Sequence, residues 1–300
     1  MTRVEDLNKQ HALDGQLLFK ELADGVIVAE VETAGATATI ALQGAQVLHW
    51  APKGEAPVIW LSEQARFAPG KSVRGGVPIC WPWFGAHVSE ADFPAHGYAR
   101  TTPWDVEFAE ALDGGELRLV FRLIESEHTE KLWPHVTPVQ CVITVGKSLS
   151  VELLTRNDGA EAVTISEALH TYFSVGDVRQ VKISGLENTA YLDKVRGFQQ
   201  FSQAGNVEIA EEVDRVYIDT VREVVIDDPV LKRRIHISKQ GSHSTIVWNP
   251  WIDKAAQMGD MGDDGYLHMV CVESGNAFHN AVTIEAGGEH RLQVDYRVVR

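Results

Sequence analysis

Period-two alternation of apolar and polar residues constrains this chain more than any other pattern in it. Residues 116–124 place Leu117, Leu119, Phe121 and Leu123 on one face. Residues 292–298 set Leu292, Val294, Tyr296 and Val298 against Gln293, Asp295 and Arg297. The stretches 149–155 and 282–285 alternate in the same way. Such segments are half-buried antiparallel strands, not the continuous apolar runs of a parallel sheet. Turn signals fall between them, at Asp113-Gly114-Gly115, Asn157-Asp158-Gly159, Gln240-Gly241-Ser242 and Ala286-Gly287-Gly288. Helical signals are few: a short N-terminal helix within residues 5–22 and a turn or two over 60–66. No linker or repeat divides the chain. The expected architecture is all-β, a large antiparallel β-sandwich with a few short helices. It is expected to form one domain over residues 1–300, with 1–25 as an N-terminal extension packed on it.

Charge and cysteine content narrow the partners. The net charge of −15 argues against a nucleic-acid surface and against an anionic membrane, both of which need clustered Lys and Arg. A small anionic substrate remains compatible, because a pocket needs only two or three local cations. Cys80, Cys141 and Cys271 are far apart and odd in number, unlike a disulfide framework. The first residues lack the apolar core of a signal peptide, and no run reaches the roughly 18 apolar residues of a membrane span. These features predict a reduced, cytoplasmic, monomeric protein.

Residues 74–85 form the most unusual stretch. Arg74 is followed by Gly75 and Gly76, and Pro78 and Pro82 frame a segment rich in Trp81, Trp83 and Phe84. Two prolines exclude both a helix and a central strand. The expectation is a rigid loop that presents a guanidinium beside apolar rings, a pairing suited to a sugar or sugar phosphate. Three other features carry no site. Gly70-Lys71-Ser72 resembles the end of a phosphate loop, but Ala65 stands where its first glycine belongs and no helix can follow. Residues 260–265 resemble a calcium loop, but Gly262 and Cys271 occupy ligand positions. The twelve histidines show no metal-ligand spacing, so no metal is expected.

Read as a strand, residues 163–173 put Ser166, Ala168, His170 and Tyr172 on one face and Glu167 and Leu169 on the other. Glu167 is therefore not the partner of His170. A lone histidine among apolar residues is ordinarily a satisfied core group, but the polar residues on its own face weaken that reading. Residues 269–272 are apolar and lead straight into Glu273, before an expected turn at Ser274-Gly275-Asn276. A carboxylate there is partly desolvated, which raises its pKa toward useful base strength. An ordinary strand-end glutamate fits the same residues. Arg74 and Arg100 match a phosphate, since each charge-assisted hydrogen bond contributes about 1.5–3 kcal/mol; two surface ion pairs fit as well. Asp214, at the end of the acidic run 208–214, is placed to reach a sugar hydroxyl.

Taken in order, Arg74–Pro78, Trp81–Gly85, His96–Arg100, Leu169–Phe173, Asp214–Tyr217, Trp248–Trp251 and Val272–Gly275 resemble the aldose 1-epimerase superfamily. More narrowly, they resemble its hexose-6-phosphate mutarotases (glucose-6-phosphate 1-epimerases), over nearly the whole chain. The resemblance implies a galactose-mutarotase-like super-sandwich, an isomerase that needs no cofactor, His170 as general acid and Glu273 as general base. It places substrate contacts at Arg74, His96, Arg100 and Asp214. It implies a protonated His170 in the resting state, with a nearby carboxylate such as Asp214 holding the imidazolium. Ser274 departs from the proline usual after the family's glutamate. The alternatives are a mutarotase of unphosphorylated aldoses, a non-catalytic carbohydrate-binding sandwich with Trp81, Trp83 and Phe84 as stacking platform, and a glycosidase using Glu273 with Asp214.

Overall fold

The computed structural model describes residues 3–22 and 25–300. Its strands form four antiparallel sheets. The largest has nine strands, in the spatial order Val207–Glu208, Lys182–Ser184, Val224–Asp228, Arg233–Gln240, Glu289–Val299, Ser148–Arg156, Val139–Val145, Leu117–Leu123 and Trp104–Ala111. An eight-stranded sheet runs Gln199–Ser202, Ala190–Asp193, Val213–Ile218, Ser244–Asn249, Met269–Asn276, Glu167–Leu169 and Ile79–Cys80, with Tyr172–Ser174 also paired to Met269–Asn276. Leu17–Glu21, Ile27–Glu32, Ala36–Ala41 and Gln46–Pro52 form a meander, and Val163–Ile165 pairs with Val282–Ile284. Short helices at Arg3–His11, Glu127–Leu132 and Trp251–Gln257 complete the all-β sandwich.

Alternation is what joins the sheets. Phe121, Leu153, Leu292 and Tyr296 of the nine-stranded sheet share one buried cluster with Tyr217, Val247, Val270 and Val272 of the eight-stranded sheet. Polar tips are satisfied across the seam. Trp81 Nε1 donates to Thr155 Oγ1 at 3.1 Å, and the Thr171 and Tyr296 hydroxyls lie 2.7 Å apart. Trp50 Nε1 ties the meander to Gly146 O at 3.2 Å. A buried indole or hydroxyl without such a partner costs about 1–3 kcal/mol, so these bonds fix which faces meet.

The expected short N-terminal helix is Arg3–His11, and Leu17–Glu21 after it is a strand. Gly15 takes a left-handed φ of 68°, after which Leu17 and Phe19 alternate into the core against Ile27–Glu32. Met1, Thr2, Ala23 and Asp24 of the expected extension lie outside the described residues. Residues 60–66 hold one hydrogen-bonded turn, in which Ala65 N donates to Ser62 O, and no helix, because Trp60 N donates to Tyr172 O and Ser62 N to Arg74 O. The loop 74–85 is buried from Gly75 to Trp83, and two of its three residues between the prolines, Ile79–Cys80, form the edge strand beside Glu167–Leu169. An edge position tolerates flanking prolines because only one side of the backbone needs donors. Trp81 and Trp83 therefore belong to the core rather than to a stacking platform.

Glu167 faces that core, as the parity argument predicts. Its Oε1 accepts from Asn276 Nδ2 at 3.0 Å and lies 2.7 Å from His290 Nε2. Asn276 Nδ2 also donates to Gly241 O, and its Oδ1 accepts from His243 N. Glu167 and Asn276 are direct cross-strand partners, so this polar knot locks the register of their strands. Replacing Asn276 by Ala orphans several buried groups, each at about 1–3 kcal/mol. The expected result is a lower denaturant midpoint with an unchanged slope, measured by chemical unfolding, whereas Leu18→Ala at an exposed site leaves the midpoint in place.

Candidate active site

The solvent-side face of the eight-stranded sheet carries side chains in rows. Across one row stand Asp214, Trp248, Cys271 and Tyr172, each opposite the next. The neighbouring row holds Val216, Ile246 and Glu273. Within Met269–Asn276, Val270 and Val272 enter the inter-sheet core, while Met269 and Cys271 pack with Trp60, Tyr172 and Trp248 on the other face. Glu273 continues that second set. It does not lie at a strand mouth before a turn, as the sequence suggested. The strand runs on through Asn276, because Ser274, Gly275 and Asn276 all pair with Glu167–Leu169.

His170 reaches the same row by a break in the opposite strand. Leu169 pairs with Ser274 and Tyr172 with Cys271, so one register persists across the gap and leaves His170 facing Glu273. His170 Nε2 lies 3.3 Å from Glu273 Oε1. The proline loop supplies the missing ladder partners: His170 N donates to Pro78 O at 2.9 Å and Tyr172 N to Gly76 O at 3.0 Å. Gly76 is needed there, since a Cβ would fall 2.5 Å from Val47 O. The imidazole stacks on the Tyr172 ring at 5.0 Å and meets Trp248 and His96 edge-on.

These groups line a cleft of about 230 Å³ that contains all six predicted residues, Arg74, His96, Arg100, His170, Asp214 and Glu273. Larger clefts, such as those beside Trp133 and beside His268, contain none of them. Arg74 Nε donates to Asp260 Oδ1 and its Nη1 to Tyr172 OH, both at 3.0 Å. Arg100 forms no ion pair among the described residues, and its Nη2 donates to Ala95 O at 2.8 Å. Asp214 is not beside the imidazole as a counter-ion; its Oδ2 pairs with Lys194 Nζ at 2.9 Å. His96 has a φ of 67°, next to Gly97, whose backbone presses so closely on Trp81 O that no Cβ fits. His96 Nδ1 accepts from Gly85 N at 3.4 Å, which leaves Nε2 as the N–H that faces the cleft's other groups.

Lys194, Phe84, Tyr172, Trp248 and Asp260 also line the cleft. Lys194 carried no local signal, because it reaches Asp214 only through the pairing of Ala190–Asp193 with Val213–Ile218. Asp260 stood out only as part of the discarded calcium loop. Its pairing with Arg74 spans 186 positions and is invisible to spacing.

Burial sets the charge states. Glu273 is 1 % exposed, and desolvation, reinforced by Asp214, raises its pKa well above the ordinary glutamate value. Desolvation, with His96, Arg100 and Arg74 nearby, pushes His170 well below the ordinary histidine value. The expected resting imidazolium is thus disfavoured in the free cleft by burial and by the charges of Arg100 and Arg74. His96 falls to about 3 through burial and the charges of Arg100 and Lys194, and is neutral. His170 Nδ1 and Glu273 Oε2 are buried with no hydrogen-bond partner. Each such orphan is costly unless a ligand hydroxyl meets it. One cluster has metal-ligand spacing among the described residues, His170 with Cys271 and Glu273.

Comparison with known proteins agrees with this geometry. A protein of Escherichia coli named "Putative glucose-6-phosphate 1-epimerase" is 39% identical over 241 residues, which covers 80% of each chain. Its namesake in Salmonella typhimurium is 38% identical over 259 residues, 86% of each chain. The crystal structure of a "putative mutarotase" from Salmonella typhimurium superposes with a TM-score of 0.90 at 34% identity over 100% of both chains. A galactose mutarotase-like protein from Clostridium acetobutylicum, at 14% identity and a TM-score of 0.71, shares the fold. The aldose 1-epimerase family profile matches residues 28–297, every residue of the facing pair and of the cleft around it included, and the chain belongs to that family.

Proposed function

We propose that the chain interconverts the α and β anomers of a 6-phosphorylated aldohexose, with glucose 6-phosphate as substrate, through His170 and Glu273. The observation that carries this reading is the 3.3 Å approach of His170 Nε2 to Glu273 Oε1 in a cleft that also holds Arg74, Arg100 and Lys194. Two protein relatives named for glucose 6-phosphate support the substrate class.

Anomer exchange requires the hemiacetal to open. The Glu273 carboxylate takes the C1 hydroxyl proton while the His170 imidazolium protonates the ring oxygen. The C1–O5 bond breaks and the aldehyde forms. Rotation about C1–C2 presents the other carbonyl face, and closure reverses both transfers. Opening converts a charged pair into protonated Glu273 and neutral His170, the state that burial favours, so the site stabilises the open form. A phosphate dianion near Arg74 and Arg100 offsets two of the charges that hold His170 down and moves the shared proton toward the imidazole. His96 Nε2–H and Asp214 are further partners for sugar hydroxyls in the cleft, and Trp248 and Phe84 offer apolar faces to the ring.

Positioned acid and base groups each contribute about 10²–10⁴-fold. His170→Ala and Glu273→Gln are therefore each expected to slow anomer exchange at least about a hundredfold, read by exchange NMR on glucose 6-phosphate. Binding with wild-type exchange no faster than either variant indicates a carbohydrate-binding protein instead.

Arg100→Ala is expected to raise KM for glucose 6-phosphate about tenfold or more, the loss of one charge-assisted contact, and to leave exchange of free glucose nearly unchanged. Equal effects on both sugars assign Arg100 a structural role.

The pH profile follows from the pair holding one proton. Gain of a second proton is governed by the lowered His170 pKa, and loss of the last by the raised Glu273 pKa. The acid limb of kcat/KM is thus expected below the ordinary histidine value of about 6.5, and the alkaline limb above the ordinary glutamate value of about 4.3. An acid limb centred at that histidine value contradicts the assignment.

A further inference from the structure

Cys271 is a buried nucleophilic group beside the acid–base pair that the proposed reaction leaves unused. It stands in the same strand as Glu273, two residues away and on the same face, directly opposite Tyr172 and Trp248. One donor atom from each of His170, Cys271 and Glu273 lies within 4.8 Å of the others. We propose that these three side chains form a site for a zinc-like divalent cation, and that its occupancy switches the acid–base pair off.

Three observations point to a metal rather than to a packing cysteine. The first is geometry. Tetrahedral zinc with bonds of about 2.0–2.1 Å to nitrogen and oxygen sets those two ligands roughly 3.3 Å apart. His170 Nε2 and Glu273 Oε1 already sit at 3.3 Å. The second is the donor set. Imidazole, thiolate and carboxylate together suit zinc, and the thiolate excludes magnesium and calcium as tight ligands. The third is the unpartnered Glu273 Oε2, on a side chain that is 1 % exposed. No other group of three such donors occurs among the described residues.

Charge balances. Binding releases the thiol proton of Cys271 and the single proton shared by His170 and Glu273. Two anionic ligands then neutralise a dication, and the neutral imidazole completes three positions. A neutral complex suits a desolvated site. The fourth position is left for water or a sugar hydroxyl. With the Nε2 lone pair and the carboxylate committed to the metal, neither group can transfer a proton.

Optical titration of the purified protein with Co²⁺, followed by competition with Zn²⁺, tests the site without reference to any sugar. One cation per chain and a thiolate-to-cobalt charge-transfer band that Zn²⁺ abolishes are expected. Cys271→Ser is expected to lose the band and to weaken Zn²⁺ binding at least about tenfold, since a lost ligand costs no less than a lost outer-shell partner. Cys271→Ala and thermal unfolding of both variants guard against a folding defect. Zn²⁺ is further expected to stop anomer exchange in the wild type, reversibly with chelator, but not in Cys271→Ser. Absence of the charge-transfer band, or equal Zn²⁺ affinity in wild type and both variants, overturns the proposal. The inhibition arm alone rests on the epimerase reading: a protein that shows the band but exchanges no anomers keeps the metal site and loses that reading, while active protein without the band does the reverse.

Discussion

His170 meets Glu273 because residues 167–174 and the strand Met269–Asn276 keep one antiparallel register across a break in the pairing. A one-residue slip would turn every side chain to the opposite face, sending Glu273 into the apolar seam and Val272 into the cleft. The register is held from three sides. Glu167 and Asn276 lock it within the core, together with His290. The proline loop closes the backbone bonds at His170 and Tyr172. Thr171, between them, is pinned by the Tyr296 hydroxyl of the other sheet. The site's geometry is thus a by-product of how the sandwich is buttoned together.

That placement creates an electrostatic tension. A carboxyl and an imidazole share a site that burial makes hostile to charge on either. Around them, the cations Arg74 and Lys194 are matched by Asp260 and Asp214, while Arg100 is the described cation of the cleft with no carboxylate partner. The cleft is therefore poised for one additional anion. A phosphoryl group fits that role because guanidinium forks match its oxygens and because its charge shifts the proton equilibrium of the pair. Binding and chemistry are coupled through the field of the same residues.

Much of this was legible before any coordinates. The alternation at 116–124, 149–155 and 292–298 marks strands that the structure places in the nine-stranded sheet, and parity alone separates His170 from Glu167. The rest was not legible, for identifiable reasons. The strand Leu17–Glu21 was not singled out because Leu17 and Phe19 alone do not fix a period until a partner strand is known. Between a stacking platform and core packing, which the sequence left open for Trp81 and Trp83, the structure selects the core, because the loop is an edge of the sheet with a second layer above it. Asp214 looked like the counter-ion of His170 because nothing nearby in the chain announces Lys194.

The sequence by itself determined the all-β class, the strand faces and the residue types available for acid–base chemistry, since side-chain period and turn chemistry are local properties. Which imidazole faces which carboxyl, which cation stays unpaired, and that Cys271 sits beside the pair were decided only by tertiary structure. Those facts depend on register and layer packing between segments about a hundred residues apart, where no local preference of the chain has any reach.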